Sequence, residues 1–424
     1  MPMTDTAKIL PKLRFPEFEN DGEWKVVNGN ELFKPIVNKN HNSDLPVLAI
    51  TQEQGAVPRE MIDYTVIVSD KSIESYKVVE IGDFIISLRS FQGGIEYSNY
   101  KGLCSPAYIV LRKTNDNVCN DFYKYYFKSH KYIQDLNRNL EGIRDGKMVS
   151  YQQFSEIKIP FPSLPEQQKI ASFLTLLDEQ ISAHTKKLEA LKAHKKGLMQ
   201  QLFPANGEKT PKLRFPEFKN AREWKEILLG EVANVYQGYG FPDAMQGKKT
   251  GKYPFYKVSD ISNTVNKGLY KIDVAINYVD DDDLPLLNNA KPIPPRTIIF
   301  AKIGEAIRLN RRVITIKESL IDNNTAGVKA KNREFDDMFL FYIMIMIDLI
   351  KFAGGVVPAV KKTIIENIQI IIPEIPEQQK IASFLTSIDE MIQAQDDKIQ
   401  KLKTYKNGLM QQMFANTIDC QPTY

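Results

Sequence analysis

Residues 165–203 read PEQQKIASFLTLLDEQISAHTKKLEALKAHKKGLMQQLF, and residues 376–414 repeat them as PEQQKIASFLTSIDEMIQAQDDKIQKLKTYKNGLMQQMF. The offset is a constant 211 residues, and 25 of the 39 aligned positions are identical. A second repeat, PKLRFPEF followed by EWK, begins at Pro11 and again at Pro211; residues 11–18 and 211–218 are named the lead segments. About 140 residues of dissimilar sequence separate each lead segment from its helix. The chain is therefore a doubled unit, in which one framework carries two different inserts.

Both repeated helical segments have the heptad pattern of a coiled coil, with apolar residues in alternating steps of three and four. Each segment opens at a proline with an acidic residue in the first turn, which favours a helix start there. The predicted helix seam consists of Ile170, Leu174, Leu177, Ile181, Leu188, Leu191 and Leu198 in the first helix, and Ile381, Leu385, Ile388, Ile392, Ile399, Leu402 and Leu409 in the second.

Polar residues interrupt the two seams at matching places, His184 with Gln395 and Lys195 with Lys406. A polar seam residue typically fixes register at some cost in stability. For His184 a partly exposed surface position is an equal alternative. The simplest partner for each helix is the other one. An antiparallel pair would place the domains at opposite ends of a rod somewhat under 60 Å long, at about 1.5 Å per residue.

The two variable regions read as mixed α/β. In the first, short β-rich runs at 47–50, 84–87 and 107–111 precede a helical stretch at 122–136. The second has runs at 253–258, 297–300 and 312–316 before a helical stretch at 338–352. We therefore predict an α+β fold with an internal pseudo-two-fold repeat, in which two mixed α/β domains are separated by two long helices forming an antiparallel coiled coil. The predicted segments are 11–164 (first lead segment and domain), 165–204 (central helix), 211–375 (second lead segment and domain) and 376–414 (C-terminal helix).

Composition is that of a folded, multidomain protein. With 424 residues, 43% hydrophobic and 25% charged, two or three domains are expected. A net charge of +4 permits a polyanionic partner without requiring one. Three scattered cysteines favour a reducing, cytoplasmic setting. The longest apolar run, 338–347, is too short to span a bilayer and indicates a buried helix.

The sequence has no recognisable catalytic motif. A phosphate-binding loop, a zinc-spaced Cys/His set, a nucleophile elbow and the tetrapeptide typical of amino-methyltransferases are all missing. The acidic run 280–283 is interpreted as a solvated loop, with metal binding as the alternative. We therefore predict a binding protein without catalytic or metal-binding residues.

Candidate contact residues lie in Gly-rich, basic or amide-rich loops. Arg and Gln can read guanine and adenine edges, while Lys and Gly-loop amides suit phosphates. The candidates for DNA binding are Gln52, Gln54, Arg89, Ser90, Gln92, Arg144 and Lys147 in the first region, and Gln237, Tyr239, Lys302, Arg308, Arg311, Lys361 and Lys362 in the second.

The doubled PEQQKIASFLT helix, ending KKGLMQQLF at its first occurrence, resembles the specificity subunits of type I restriction–modification systems. The PKLRFPEF lead segments and the segment IFAKIG at 299–304 are similar to the same family. This resemblance implies that each variable region reads one half of a bipartite, asymmetric double-stranded DNA site. The helices would set the spacing and dock two modification (methyltransferase) subunits; we therefore predict that charges at Phe173 and Phe384 impair assembly.

The resemblance assigns all chemistry to partner subunits. Modification subunits would use S-adenosylmethionine to methylate adenine, and restriction subunits would use ATP and Mg²⁺ to translocate and cleave foreign DNA. The chain itself would hold no cofactor and touch no membrane. Two alternatives from other classes are a coiled-coil scaffold that binds only proteins and a nuclease with an unrecognised acidic triad.

Overall fold

The computed structural model describes residues 9–42, 44–62, 73–138, 149–205, 207–332 and 335–414. It divides into two compact units, Met1–Ala183 with Gln400–Tyr424 and His184–Ile399. Each unit therefore combines one lead segment, one variable region and segments of both long helices.

The first unit is built around a sheet of order β2-β9-β6-β7. Its strands are β1 (Lys25–Asn28), β2 (Phe33–Ile36), β3 (Leu48–Thr51), β4 (Gly55–Pro58), β5 (Lys77–Val79), β6 (Phe84–Ile86), β7 (Glu96–Tyr97), β8 (Gly102–Cys104), β9 (Ile109–Lys113) and β10 (Lys158–Phe161). Its helices are α1 (Gly29–Leu32), α2 (Ser90–Gly93), α3 (Asn120–Tyr126), α4 (His130–Arg138) and α5 (Tyr151–Glu156), and the long α6 (Leu164–Leu202) follows. The antiparallel pair β1–β10 joins the start of the region to its end.

The second unit has a sheet of order β12-β19-β16-β17-β14 and a smaller one of order β15-β13-β18. Its strands are β11 (Lys225–Leu228), β12 (Ala233–Gln237), β13 (Tyr253–Tyr256), β14 (Lys271–Ile272), β15 (Asn277–Val279), β16 (Ile298–Ala301), β17 (Val313–Thr315), β18 (Leu320–Ile321), β19 (Thr325–Ala330) and β20 (Gln369–Ile372). Its helices are α7 (Leu229–Val232), α8 (Val258–Asn266), α9 (Asp337–Met346) and α10 (Lys362–Glu366), and the long α11 (Ile375–Met413) follows.

One framework appears in both units despite the dissimilar sequences. The order β2-β9-β6-β7 corresponds to β12-β19-β16-β17, and the closing pair β1–β10 corresponds to β11–β20. The second unit adds β14 at the sheet edge. The predicted α+β fold class with two related domains is confirmed; the segment boundaries and the placement of the domains along a rod stay predictions.

Two stretches that were each predicted as one helix are divided in the structure. The stretch 122–136 was predicted as one helix, but α3 and α4 are separate, because Phe127–Ser129 form a turn between them. There the Ser129 hydroxyl accepts a hydrogen bond from Tyr132 N–H at 3.3 Å, as a helix N-cap does. The stretch 338–352 is divided too: its apolar run forms α9, whose residues from Phe339 to Met344 are buried, and a separate 3₁₀ helix spans Leu349–Phe352. Among the described residues, no helix is both long and apolar enough to cross a bilayer.

Within each unit, segments of α6 and α11 run antiparallel. In the second unit Gln395 Nε2 donates to His184 Nδ1 and His184 O, both at 2.8 Å. Lys195, later in α6, meets Asp389, earlier in α11. His184 therefore lies in the seam, half-buried. Every predicted seam residue is buried or half-buried.

A polar cluster recurs in the two units where the seam meets the variable region. In the second unit Lys195 Nζ donates to Asp389 Oδ1 at 2.5 Å, and the Tyr342 hydroxyl donates to Asp389 Oδ2 at 2.8 Å. The first unit repeats these bonds with Lys406, Asp178 and Tyr125, at 2.6 and 2.8 Å. In both, the ammonium also lies over the tyrosine ring, 5.1 and 4.7 Å from its centroid.

The lead segments clamp the long helices. Arg14 makes a bidentate pair with Glu166 at 2.7 and 2.8 Å, and Leu13 N–H donates to Gln412 O at 3.0 Å. The second unit repeats this clamp with Arg214 and Glu377, at 2.8 and 2.7 Å. The repeated lead segment and the repeated PEQQ helix start are therefore two halves of one contact.

The two phenylalanines at which a charge is predicted to impair assembly belong to these clamps. Phe173 packs edge-on against Phe15, with ring centroids 5.6 Å apart, and Phe384 packs against Phe215 at 5.5 Å. Both helix phenylalanines are half-buried. A charge at either position would disturb the adjoining lead segment, so it cannot test partner docking by itself. Impaired assembly on introducing a charge at Phe173 or Phe384 stays a prediction.

Candidate nucleic-acid interface

Two of the predicted contact loops in the first unit line one cleft. Gln52 and Gln54 occupy the turn between β3 and β4, and Arg89 directly precedes α2. All three side chains are exposed and line a cleft of about 810 Å³. Gln52 and Arg89 are 37 residues apart in sequence. The fold therefore brings together amide and guanidinium groups that the sequence offered as separate candidates.

The ammonium of Lys128 holds both loops. Its Nζ donates to Gln52 O at 3.3 Å, to Gly93 O at 2.9 Å and to Glu96 Oε1 at 2.5 Å. The loops also touch directly, because Gln52 Nε2 donates to Arg89 O at 3.5 Å. A Cβ at Gly93 would lie 2.7 Å from Gln52 Cδ, so a glycine permits this close approach.

Glu96 is a buried carboxylate that lines the same cleft. It lies on β7 and is only 2% exposed, and its Oε2 has no hydrogen-bond partner among the described residues. Burial raises the pKa of Glu96, and the Lys128 ammonium opposes that shift. An unpaired buried acceptor is uncommon and calls for an explanation beyond packing.

The remaining candidates of the first unit differ in accessibility. Ser90 is 1% exposed, and its hydroxyl accepts a hydrogen bond from Ser87 N–H at 2.8 Å, so it serves the conformation of its own loop. Gln92 is exposed on α2. Arg144 and Lys147 lie outside the described residues.

In the second unit, Lys302 follows β16 in a loop fastened on two sides. Lys302 N–H donates to Asn324 O at 2.8 Å, and Val360 N–H donates to Lys302 O at 2.9 Å. Burial lowers the pKa of Lys302, while the Asp322 carboxylate raises it. Asp322 is 6% exposed with an unpartnered Oδ1 within the described part of the chain, and burial raises its pKa. A buried carboxylate with one unpaired oxygen thus accompanies the candidate loops in both units.

The loop of Gln237 and Tyr239 is fastened to the same turn. Gln237 ends β12 and is exposed, and Tyr239 N–H donates to Ile321 O at 2.9 Å, next to Asp322. The Tyr239 hydroxyl accepts a bond from Lys291 N–H at 3.0 Å. The turn around Asp322 therefore links the Gln237 and Lys302 loops.

The basic candidates further along are engaged locally. The Arg308 guanidinium pairs with Glu305 at 2.8 Å, and Arg311 Nη2 donates to Asn266 Oδ1 at 3.0 Å. Lys361 is exposed, while Lys362 is half-buried and lies 3.6 Å from Glu366. Pairs of this exposed kind are weak and can be exchanged for phosphate contacts.

The acidic run 280–283 is paired with lysines. Asp280 forms an ion pair with Lys248, and Asp281 pairs with Lys252 at 2.7 Å. Within the described ranges, no group of three or more His, Cys, Asp or Glu residues is arranged to hold a metal. The solvated-loop interpretation of this run stays a prediction.

Sequence reasoning missed Lys128, Glu96 and Asp322. Lys128 lies in the turn between α3 and α4, 76 residues from Gln52, and its role depends on that turn reaching the β3–β4 loop. One local feature of the sequence could have identified Glu96 as a site residue: it is a carboxylate at an inward position of a short strand. No local sequence feature identified Arg59 or Tyr108, which also line the cleft.

The match to known proteins covers nearly the whole chain. Residues 21–193 and 221–404 match the family described as Type I restriction modification DNA specificity domain. The type I restriction enzyme MjaVIII specificity subunit of Methanocaldococcus jannaschii is 23% identical over 441 residues, covering 98% of this chain and 96% of the relative.

Solved structures share the fold. The crystal structure of the type I restriction–modification S subunit from Mycoplasma genitalium has a TM-score of 0.56 at 14% identity, covering 97% of this chain and 100% of that one. A chain from a structure of complex assembly and conformational transition of the type I R-M system has a TM-score of 0.54 at 16% identity, covering 93% and 98%. The protein-only scaffold is therefore not favoured. The chain belongs to the type I restriction–modification DNA specificity family, and it is a specificity subunit that carries the family domain twice.

Proposed function

We propose that each unit reads one half of a bipartite, asymmetric DNA site on behalf of a type I restriction–modification enzyme. The observation that carries the proposal is the duplicated family domain with a different loop set on each copy. The first copy offers Gln52, Gln54 and Arg89 in one cleft, whereas the second offers Lys302 and its linked loops. Since the side chains differ, the two half-sites differ in sequence.

The long helices set the distance between the half-sites in this proposal. The two reading domains are residues 11–164 and 211–375, and the spacers are 165–204 and 376–414. Support comes from the buried seam and from the clamps of the lead segments, which fasten each variable region to both helices. A specificity subunit needs such fastening because a loosely held DNA-reading domain would not fix the distance between the two half-sites.

Catalysis belongs to other subunits in this proposal. Two modification subunits bind S-adenosylmethionine and methylate adenine, and restriction subunits bind ATP and Mg²⁺ for translocation and cleavage. This chain catalyses nothing and works in the cytoplasm, where the DNA that it reads lies. The doubled helix supports a stoichiometry of two, since two similar helix surfaces suit two copies of one partner.

Mapping of methylated adenines in cells tests the proposal. The chain is expressed with its modification subunits in a host that lacks other adenine methyltransferases, and the genome is sequenced for modified bases. We expect one split motif, with methylated adenines on opposite strands in its two halves. Expression without the specificity chain is the control and gives no motif. A continuous motif, or none with all subunits present, contradicts the proposal.

A further inference from the structure

The unpaired oxygen of Glu96 marks a position where a hydrogen-bond donor is missing. Glu96 Oε1 is taken by Lys128 at 2.5 Å, whereas Oε2 is buried without a partner among the described residues. Leaving a buried acceptor unpaired is unfavourable, and the penalty is larger for a charged group. The same cleft carries the side chains most suited to base edges, Gln52, Gln54 and Arg89.

We propose that Glu96 is a specificity-determining residue that accepts a hydrogen bond from an exocyclic amino group of a base, adenine N6 or cytosine N4. This inference rests on the proposed DNA-reading function. An ionised carboxylate only accepts hydrogen bonds, so its partner must be a donor. In the major groove the base donors are these two amino groups, and a carboxylate repels phosphates.

Contact with Oε2 requires the loops beside Glu96 to separate, because the carboxylate is buried. The neighbouring loops are exposed, and the direct bond between them, Gln52 Nε2 to Arg89 O, is at the long limit of 3.5 Å. Lys128 keeps Oε1 occupied and balances the charge, so only Oε2 is left for a ligand. Asp322 repeats the pattern in the second unit, where it is buried and its Oδ1 is unpaired within the described ranges.

The first test compares the base preference of the wild-type chain and Glu96→Gln, each in the complete methyltransferase complex. Glutamine preserves the shape, but it can keep its oxygen on Lys128 and turn an NH₂ donor toward the base. At one position of the half-site read by the first unit, we expect the preferred base to change from adenine or cytosine to guanine or thymine. The half-site read by the second unit should be unchanged. Glu80→Gln, in an exposed ion pair with Lys101 in the same unit, is the matched control and keeps the wild-type motif.

A second test changes the DNA bases and measures binding by the wild-type protein. In a duplex carrying the mapped site, each adenine of the first half-site is replaced in turn by unsubstituted purine, and each cytosine by 2-pyrimidinone, which removes the amino group. We expect wild-type binding to fall about tenfold at one position. Glu96→Gln, which has already lost the acceptor, shows no such loss there.

The outcomes distinguish a failure of the Glu96 inference from a failure of the proposed DNA-reading function. An intact wild-type split motif with an unchanged Glu96→Gln preference, or equal analogue losses in both proteins, overturns the inference alone. Absence of any split motif with wild-type protein overturns the proposed function and the inference together. If Glu96→Gln fails to assemble, the analogue series on wild-type protein decides: tenfold loss at one amino-bearing base supports the inference, and uniform binding overturns it.

Discussion

Lys195 and Asp389 form an ion pair of 2.5 Å between the two long helices of the second unit, although they are 194 residues apart in sequence. Their side chains are only 16% and 10% exposed. Tyr342 of the variable region donates to the other carboxylate oxygen, so one aspartate joins both helices to the reading domain. The first unit has the same arrangement around Asp178.

Removal of the Asp389 carboxylate should destabilise the second unit. Asp389→Ala leaves the Lys195 ammonium and the Tyr342 hydroxyl without their partner, and breaking a buried pair this way typically costs about 3 kcal/mol or more. Chemical denaturation of the wild type and variant, followed by hydrogen exchange on α9, measures the loss. Glu390→Ala, at the exposed neighbouring position, should stay within about 0.5 kcal/mol. Equal effects of the two variants would contradict this role.

Replacement of Arg14 by lysine should loosen the first lead segment. Lysine keeps the charge but cannot make the bidentate contact with Glu166, so we expect a loss of about 1–3 kcal/mol. Hydrogen exchange in residues 11–18 should quicken, while residues 211–218 keep their protection. Arg214→Lys is the matched variant and should give the reverse pattern. Unchanged exchange in both lead segments would show that the clamps are dispensable.

Loss of Lys128 should impair reading of one half-site. Lys128→Met removes the group that holds the Gln52 and Gly93 loops, so binding through the first half-site should weaken about tenfold or more, the scale of a lost charged hydrogen bond. Binding is measured on duplexes in which one half-site or the other is scrambled. Lys131→Met, which breaks a local pair with Asp135, serves as control. A decline that is equal for both half-sites would argue against a local effect.

Helix length should determine spacer length without changing half-site identity. Insertion of seven residues into both α6 and α11, at equivalent seam positions, preserves the heptad phase and lengthens each helix by about 10 Å. We expect the methylated motif to gain about three base pairs of spacer, at about 3.4 Å each. Insertion into only one helix misaligns the seams and should abolish methylation. An unchanged spacer in the double insertion would refute the spacing role.

The sequence predicted the framework because the framework depends on short-range regularity. Heptad periodicity and a proline with an acidic first turn are local signals. Together with a repeat at a constant offset of 211 residues, they correctly indicated two long helices and one fold used twice. The turn between α3 and α4 was missed, since the aromatic run there suits a helix and only the capping role of Ser129 reveals the break.

The residues that share a site are brought together by packing between elements that are distant in sequence. Lys128 and Glu96 act on loops that are distant in sequence, and no local pattern specifies that an ammonium will reach Gln52 and Gly93 together. The reason is physical: helix and seam patterns arise from neighbours a few residues apart, whereas a cleft arises from packing of several elements. A duplicated helical frame with two different variable regions can therefore be recognised from sequence alone, whereas the side chains that line each candidate surface depend on how each unit packs.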